Sequence, residues 1–264
     1  MGEVIVITSG KGGVGKTTTT ANIGTGLVMQ GKKVVVVDAD IGLRNLDVVM
    51  GLENRIVYDI VDVVEGICRL RQALIKDKRY DGLFLLPAAQ TKDKDSVTPQ
   101  QMRELCNKLK ETFDYVLIDC PAGIEQGFKN AIAGADKAIV ICTPEISSVR
   151  DADRIIGLLE AAELRNPKLI INRLRIDMVK RGDMMNIEDM IDILAIDLLG
   201  VVPDDEAIVI STNRGEPAVV DDKSIAGQAY RNIARRILGE EVTFLQLEGE
   251  ETFMFKLRKL FGFK

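Results

Sequence analysis

Short runs of apolar, mostly β-branched residues recur along the chain: EVIVIT (3–8), KVVVVDAD (33–40), GLFLLPA (82–88), YVLIDCPAG (115–123), KAIVICTPE (137–145), KLIINR (168–173) and LLGVVPDD (198–205). None alternates apolar with polar positions, which is how strands covered on both faces read. Between them lie stretches of helical length and period, such as 17–30, 98–112 and 147–164. Parallel strands need crossovers, and these helices supply them. The pattern predicts an α/β fold, a doubly wound, mostly parallel sheet with helices on both faces. No internal repeat or proline-rich linker divides it, so one domain is expected over 1–238.

The pattern changes near the end. Residues 239–252, GEEVTFLQLEGEET, carry five glutamates and read as a solvated linker. The sign then flips: FMFKLRKLFGFK (253–264) has four basic residues and no acidic one. At ~100° per residue, Phe253, Met254, Leu257, Leu260 and Phe261 fall on one arc about 120° wide, with Lys256, Arg258 and Lys259 off it. That is a basic amphipathic helix of the interfacial kind, too short to span a bilayer and suited to anionic lipids. One such anchor binds weakly, whereas two acting together gain avidity. The alternative is a C-terminal helix packed on its own core.

Composition narrows the chemistry. The 264 residues hold no histidine, so imidazole cannot serve as base, acid or metal ligand, and Ser-His-Asp or Cys-His catalysis is excluded. A net charge of −5 does not draw the whole molecule to nucleic acid, and no nucleic-acid partner is expected. Cys68, Cys106, Cys120 and Cys142 have no CxxC spacing and read as reduced thiols packed as small hydrophobes. The N-terminus has no basic region ahead of a long apolar run, which predicts a protein kept in the cytosol and, through its tail, peripheral on the inner face of the cell membrane.

The first run leads into SGKGGVGKTTTT. Gly10, Lys11, Gly12, Gly13, Val14, Gly15, Lys16 and Thr17 satisfy G-x-x-x-x-G-K-[ST] between a strand and a helix. Glycines let successive N–H groups turn inward at phosphate oxygens, and the helix N-terminus adds its positive end. Lys16 would bridge the β- and γ-phosphates, the Thr17 hydroxyl would bind Mg²⁺, and Thr18 continues the helix beside them. ATP and Mg²⁺ are the expected cofactors. Asp119 closes YVLID where a Walker B aspartate holds the metal, although a strand-end carboxylate can also cap a helix. Asp38 and Asp40 close the second run, at the strand ends where ligands bind in open α/β sheets. Asp38 would sit near Mg²⁺ and Asp40 could orient the attacking water, or either could cap the short helix around Leu46.

Together KGGVGKTT, VVVVDADIGLRNLD and YVLIDCPAG resemble the deviant Walker A ATPases, the MinD/ParA group of P-loop proteins. The stretch DADIGLRNLDVVMGLENRIVYDIVDVVEG resembles the branch that places the bacterial division site. The resemblance implies a homodimer sandwiching two ATP molecules, with Lys11 reaching across to the partner's phosphates so that hydrolysis requires dimerisation. It implies that Asn172, Arg173, Pro203 and Asp204 contact adenine. It implies that Arg44, Asn45, Asp47, Asp151 and Asp153 form a partner surface for the division inhibitor MinC and for a topological regulator, MinE or a polar anchor. Membrane-anchored flagellar-number regulators, DNA-binding partition ATPases and metal-cluster carriers use the same scaffold, and these alternatives stay open at this point.

Overall fold

The computed structural model describes residues 2–245. Its eight strands form one sheet in the order β3-β4-β2-β5-β1-β6-β7-β8. In sequence these are β1 (Glu3–Thr8), β2 (Val34–Asp38), β3 (Ile75–Lys76), β4 (Leu83–Leu86), β5 (Tyr115–Asp119), β6 (Lys137–Cys142), β7 (Lys168–Leu174) and β8 (Leu198–Pro203). All neighbours are parallel except β3, which runs antiparallel to β4 at the edge. Each of the seven apolar runs contains one strand. The eighth, β3, has two residues, too few for a pattern to announce.

Among the described residues eleven α-helices accompany the sheet: α1 (Lys16–Met29), α2 (Leu46–Val49), α3 (Ile60–Val64), α4 (Leu70–Ala73), α5 (Pro99–Lys110), α6 (Gln126–Ile132), α7 (Ile146–Ala161), α8 (Ile176–Arg181), α9 (Ile187–Leu194), α10 (Glu206–Asn213) and α11 (Ile225–Ile237). The absence of alternation in the strands follows from their burial. Val4, Val6, Val35 and Val37 join one core with residues of α5, α6, α7 and α9, while Ile5, Ile7, Val34 and Val36 join a second with α1 and α11. Both faces are covered, so both sets of side chains must be apolar.

Residues just past 238 also pack on the body. Arg236 donates from Nε to the Val242 carbonyl at 3.0 Å, from Nη2 to that of Thr243 at 3.0 Å, and from Nη1 to that of Leu199 at 3.0 Å. Its guanidinium also stacks 4.1 Å from the Phe244 ring centroid, and Phe244 and Leu245 pack on the core. Residues 240–245 are therefore strapped across the end of α11, their carbonyls accepting from the half-buried guanidinium. The rest of the acidic segment and the amphipathic tail at 253–264 lie outside the described residues. Among the described residues no helix is long and apolar enough to cross a membrane.

Candidate nucleotide site

Strand β1 has β5 on one side and β6 on the other, so the winding reverses there and opens a crevice at the strands' C-terminal ends. The chain leaves Thr8 into the crevice, turns through 9–15 and enters α1. Gly15 caps α1 in the left-handed region (φ 99°, ψ 26°), and no side chain caps the helix. That leaves the first-turn N–H groups for an anion. A Cβ on Gly15 would lie 2.4 Å from Asn172 Nδ2, and one on Gly10 would lie 2.3 Å from the Asp151 carbonyl oxygen. Both glycines are set by close approach as well as by the turn.

The two loop lysines go to different partners. Lys16 is buried at 8% exposure, with Nζ donating to Ser9 Oγ at 3.0 Å, and Ser9 Oγ donates in turn to the Lys11 carbonyl at 2.8 Å. Lys11 leaves the loop: its Nζ donates to Glu145 Oε2 at 2.9 Å and to Ser147 Oγ at 3.2 Å, with 42% of the side chain exposed.

Asp38 and Asp119 stand opposite each other in the β2–β5 register, both buried. Burial raises the pKa of each; the charges of Asp40 and Asp47 add to it at Asp38, and that of Asp38 adds to it at Asp119. At Asp119 the Thr17 hydroxyl and the Lys16 ammonium oppose the shift. Thr20 Oγ1 lies 3.5 Å from Asp119 Oδ1. Two buried carboxylates beside a threonine hydroxyl form a hard oxygen donor set, which fits Mg²⁺. Asp38 also organises backbone, since Oδ1 accepts from the Asp40 N–H at 2.9 Å and Oδ2 from the Leu46 N–H at 3.1 Å. It thus holds the start of α2, the alternative that the sequence left open. Asp40 is half-buried beside it.

On the base side, Asn172, Arg173, Pro203 and Asp204 line the same cleft as Gly15 and Thr18, with a volume of about 1210 Å³. Besides the adenine contact that the resemblance implies, Asn172 has a structural partner. It is 6% exposed, and its Nδ2 donates to the Val14 carbonyl at 2.8 Å, so its amide N–H anchors the phosphate loop to β7. Arg173 adopts φ 57° with an exposed side chain, and the Asp204 N–H donates to the Leu174 carbonyl at 2.9 Å. Replacing Asn172 by Ala strands the buried Val14 carbonyl at a cost of about 1–3 kcal/mol, and calorimetry should find ATP bound roughly 10-fold more weakly. Unchanged affinity would show that the loop stands without this anchor.

The partner-surface residues divide. Asn45 and Asp153 are exposed, Arg44 and Asp151 half-buried, and Asp47 is 1% exposed. Asp47 is a correction to the predicted surface: it turns inward, with Oδ2 3.0 Å from Arg44 Nε. Arg44 itself sits at φ 40°. The thiols of Cys106, Cys120 and Cys142 are buried and pushed up to about 12, 12 and 11, the state of packed rather than reactive thiols. Sequence reasoning missed Ser9 and Glu145. Glu145 ends the KAIVICTPE run, the same strand-end signal that singled out Asp38 and Asp119.

Comparison with known proteins bears on this arrangement. The family model described as the CobQ/CobB/MinD/ParA nucleotide binding domain matches residues 5–218. The septum site-determining protein MinD of Bacillus subtilis is 62% identical over 265 residues, covering 99% of each chain. Among solved structures, the MinC:MinD cell division protein complex of Aquifex aeolicus superposes with a TM-score of 0.84 at 53% identity, covering 92% of this chain and 98% of that one. The septum site-determining protein MinD of Pyrococcus horikoshii, complexed with Mg-ADP, does so with a TM-score of 0.82 at 32% identity, covering 90% and 96%.

Proposed function

Because the chain belongs to the MinD family of septum site-determining ATPases, within the CobQ/CobB/MinD/ParA nucleotide-binding proteins, we propose that it works as an ATP-driven dimerising membrane switch. It is an ATPase of division-site placement that uses ATP and Mg²⁺. That assignment favours a division role over a flagellar or partition role.

The loop N–H groups and Lys16 hold the phosphates, and Thr17, Asp38 and Asp119 hold the metal. Bound there, Mg²⁺ would offset phosphate charge and the repulsion of the two carboxylates. Asp40, next to Asp38, orients water. Arg173, Pro203 and Asp204 receive the base, with Asn172 fixing the loop beside it. Lys11 acts across a homodimer, where it would neutralise developing charge as an arginine finger does.

One observation carries this reading. Lys16 is buried over its own loop, while Lys11 is exposed and, among the described residues, held by Glu145 and Ser147. An exposed ion pair of this sort is worth about 0–1 kcal/mol, so Lys11 is readily exchanged to another subunit. Dimerisation then brings two tails together, and paired tails bind anionic lipid where one does not. The membrane-bound dimer recruits the inhibitor MinC on the face carrying Asn45 and Asp153, and a topological regulator, MinE or a polar anchor, reads the same face. Hydrolysis releases both subunits from the inner face of the membrane.

Sedimentation with anionic vesicles tests the switch. The full chain should pellet with ATP, stay in solution with ADP, and stay in solution with ATP once residues 253–264 are removed. Equal pelleting in the three conditions would sink the reading.

A further inference from the structure

Arg79 lies on none of the elements that line the nucleotide cleft, yet its guanidinium joins two of them at their far ends. Nη2 donates to the Met50 carbonyl and Nη1 to the Gly215 carbonyl, the latter at 2.7 Å. Asp77, 1% exposed, grips the same group through Nε at 3.1 Å and Nη2 at 2.8 Å. Met50 caps the C-terminal end of α2, and Gly215 lies just past that of α10. The two backbones also touch there. A Cβ on Gly51 would lie 2.7 Å from the Gly215 carbonyl oxygen, and one on Gly215 would lie 2.6 Å from Gly51 Cα. The corner is tied to the sheet edge, because the Asp77 N–H donates to the Leu83 carbonyl at 2.9 Å.

The near ends of the same helices reach the cleft. The first N–H of α2, that of Leu46, is held by Asp38 at 3.1 Å. Helix α10 begins just past Pro203 and Asp204, where Asp205 accepts from the Ala207 N–H at 2.9 Å. Helices of four and eight residues rise only about 6 and 12 Å, and are stiff over such lengths. The metal side and the base side of the cleft are thus two legs of one frame, and Arg79 closes its corner.

We propose that Arg79 is a positioning residue for the ATPase: by pinning the C-terminal end of α2 to that of α10, it holds Asp38 in register with the base-side wall. This rests on the reading of Asp38 as a metal-site carboxylate. A guanidinium suits the task because its fixed fork serves two carbonyls and a carboxylate together, which an ammonium cannot reproduce.

Steady-state kinetics on the full chain tests the assignment, with Arg79→Gln, Arg79→Lys and Asp38→Asn beside the parent. Arg79→Gln should lower kcat about 10- to 100-fold and raise the Mg²⁺ concentration for half-maximal rate about 10-fold, the scale of an ångström-sized misplacement. KM for ATP should stay within about 3-fold, because the phosphate loop and Lys16 are untouched. Arg79→Lys should recover part of the loss. A purely structural role would lower only the melting temperature. A folded Arg79→Gln protein with kcat and Mg²⁺ half-saturation within about twofold of the parent overturns the proposal, provided that Asp38→Asn shifts the Mg²⁺ dependence. An Asp38→Asn protein with unshifted Mg²⁺ dependence removes the reading of Asp38, and the proposal with it. Should Arg79→Gln not fold, Gly215→Ala keeps the arginine and separates the backbones; it must show the same Mg²⁺ shift, and its absence overturns the proposal.

Discussion

Replacing Lys11 by Ala is expected to abolish ATP-dependent vesicle binding and to lower turnover by about 10³-fold or more, the scale of removing an arginine finger. Binding of ATP to the single subunit should change by less than about threefold, since Lys16, Ser9 and the loop N–H groups remain. The fold should be unaffected, because among the described residues Lys11 makes an exposed pair with Glu145 and a bond to Ser147. Three measurements on one protein separate the roles: calorimetry with ATP, phosphate release against protein concentration, and vesicle sedimentation. Normal turnover in this variant would return Lys11 to an ordinary loop residue. Loss of ATP binding in the single subunit would mean that it serves its own nucleotide.

Asp119→Asn should move stability and function in opposite directions. Asp119 is 2% exposed and faces Asp38, and burial and that neighbour both disfavour its charge. An amide of the same shape keeps a hydrogen bond with Thr17 and removes the repulsion. The nucleotide-free variant should therefore be about 1–3 kcal/mol more stable than the parent at neutral pH, read as a higher melting temperature or denaturation midpoint. The same change should cost at least about 100-fold in Mg²⁺-dependent ATP turnover, because a neutral amide is a poor ligand for a hard cation. A variant that is less stable, or one that keeps full activity, would show that the carboxylate is structural. Sites that hold charge together for function commonly trade stability in this way.

The central sheet was legible in the sequence because its strands are buried on both faces, which forces unbroken runs such as VVVVD and YVLID. The phosphate loop was legible because its glycines and Lys16 have no substitutes at that spacing. Features made by long-range contact were not. Asp47 sits among the charged positions of GLRNLD and reads as surface, and its burial against Arg44 shows only in the fold. Asn172 reads as a turn residue until Val14, 158 positions away in sequence, is brought to its amide. The strap at 240–245 carries two glutamates, and its docking depends on Arg236 and Phe244 rather than on any periodicity. Arg79 belongs to an unremarkable KDKR stretch whose role appears only where two helix ends meet.

The strap also fixes a length. With residues 240–245 held against α11, the chain between the body and the amphipathic segment is 246–252, which at full stretch spans about 25 Å. Released from residue 239 onward it would span about twice that, roughly 50 Å. In the proposed membrane-bound dimer the strap would act as a short leash, keeping each body within about the thickness of one further domain of the lipid surface and limiting how far apart two tails could wander. Lengthening the leash, rather than weakening the tail, is then a separate way to tune how firmly such a dimer holds a membrane.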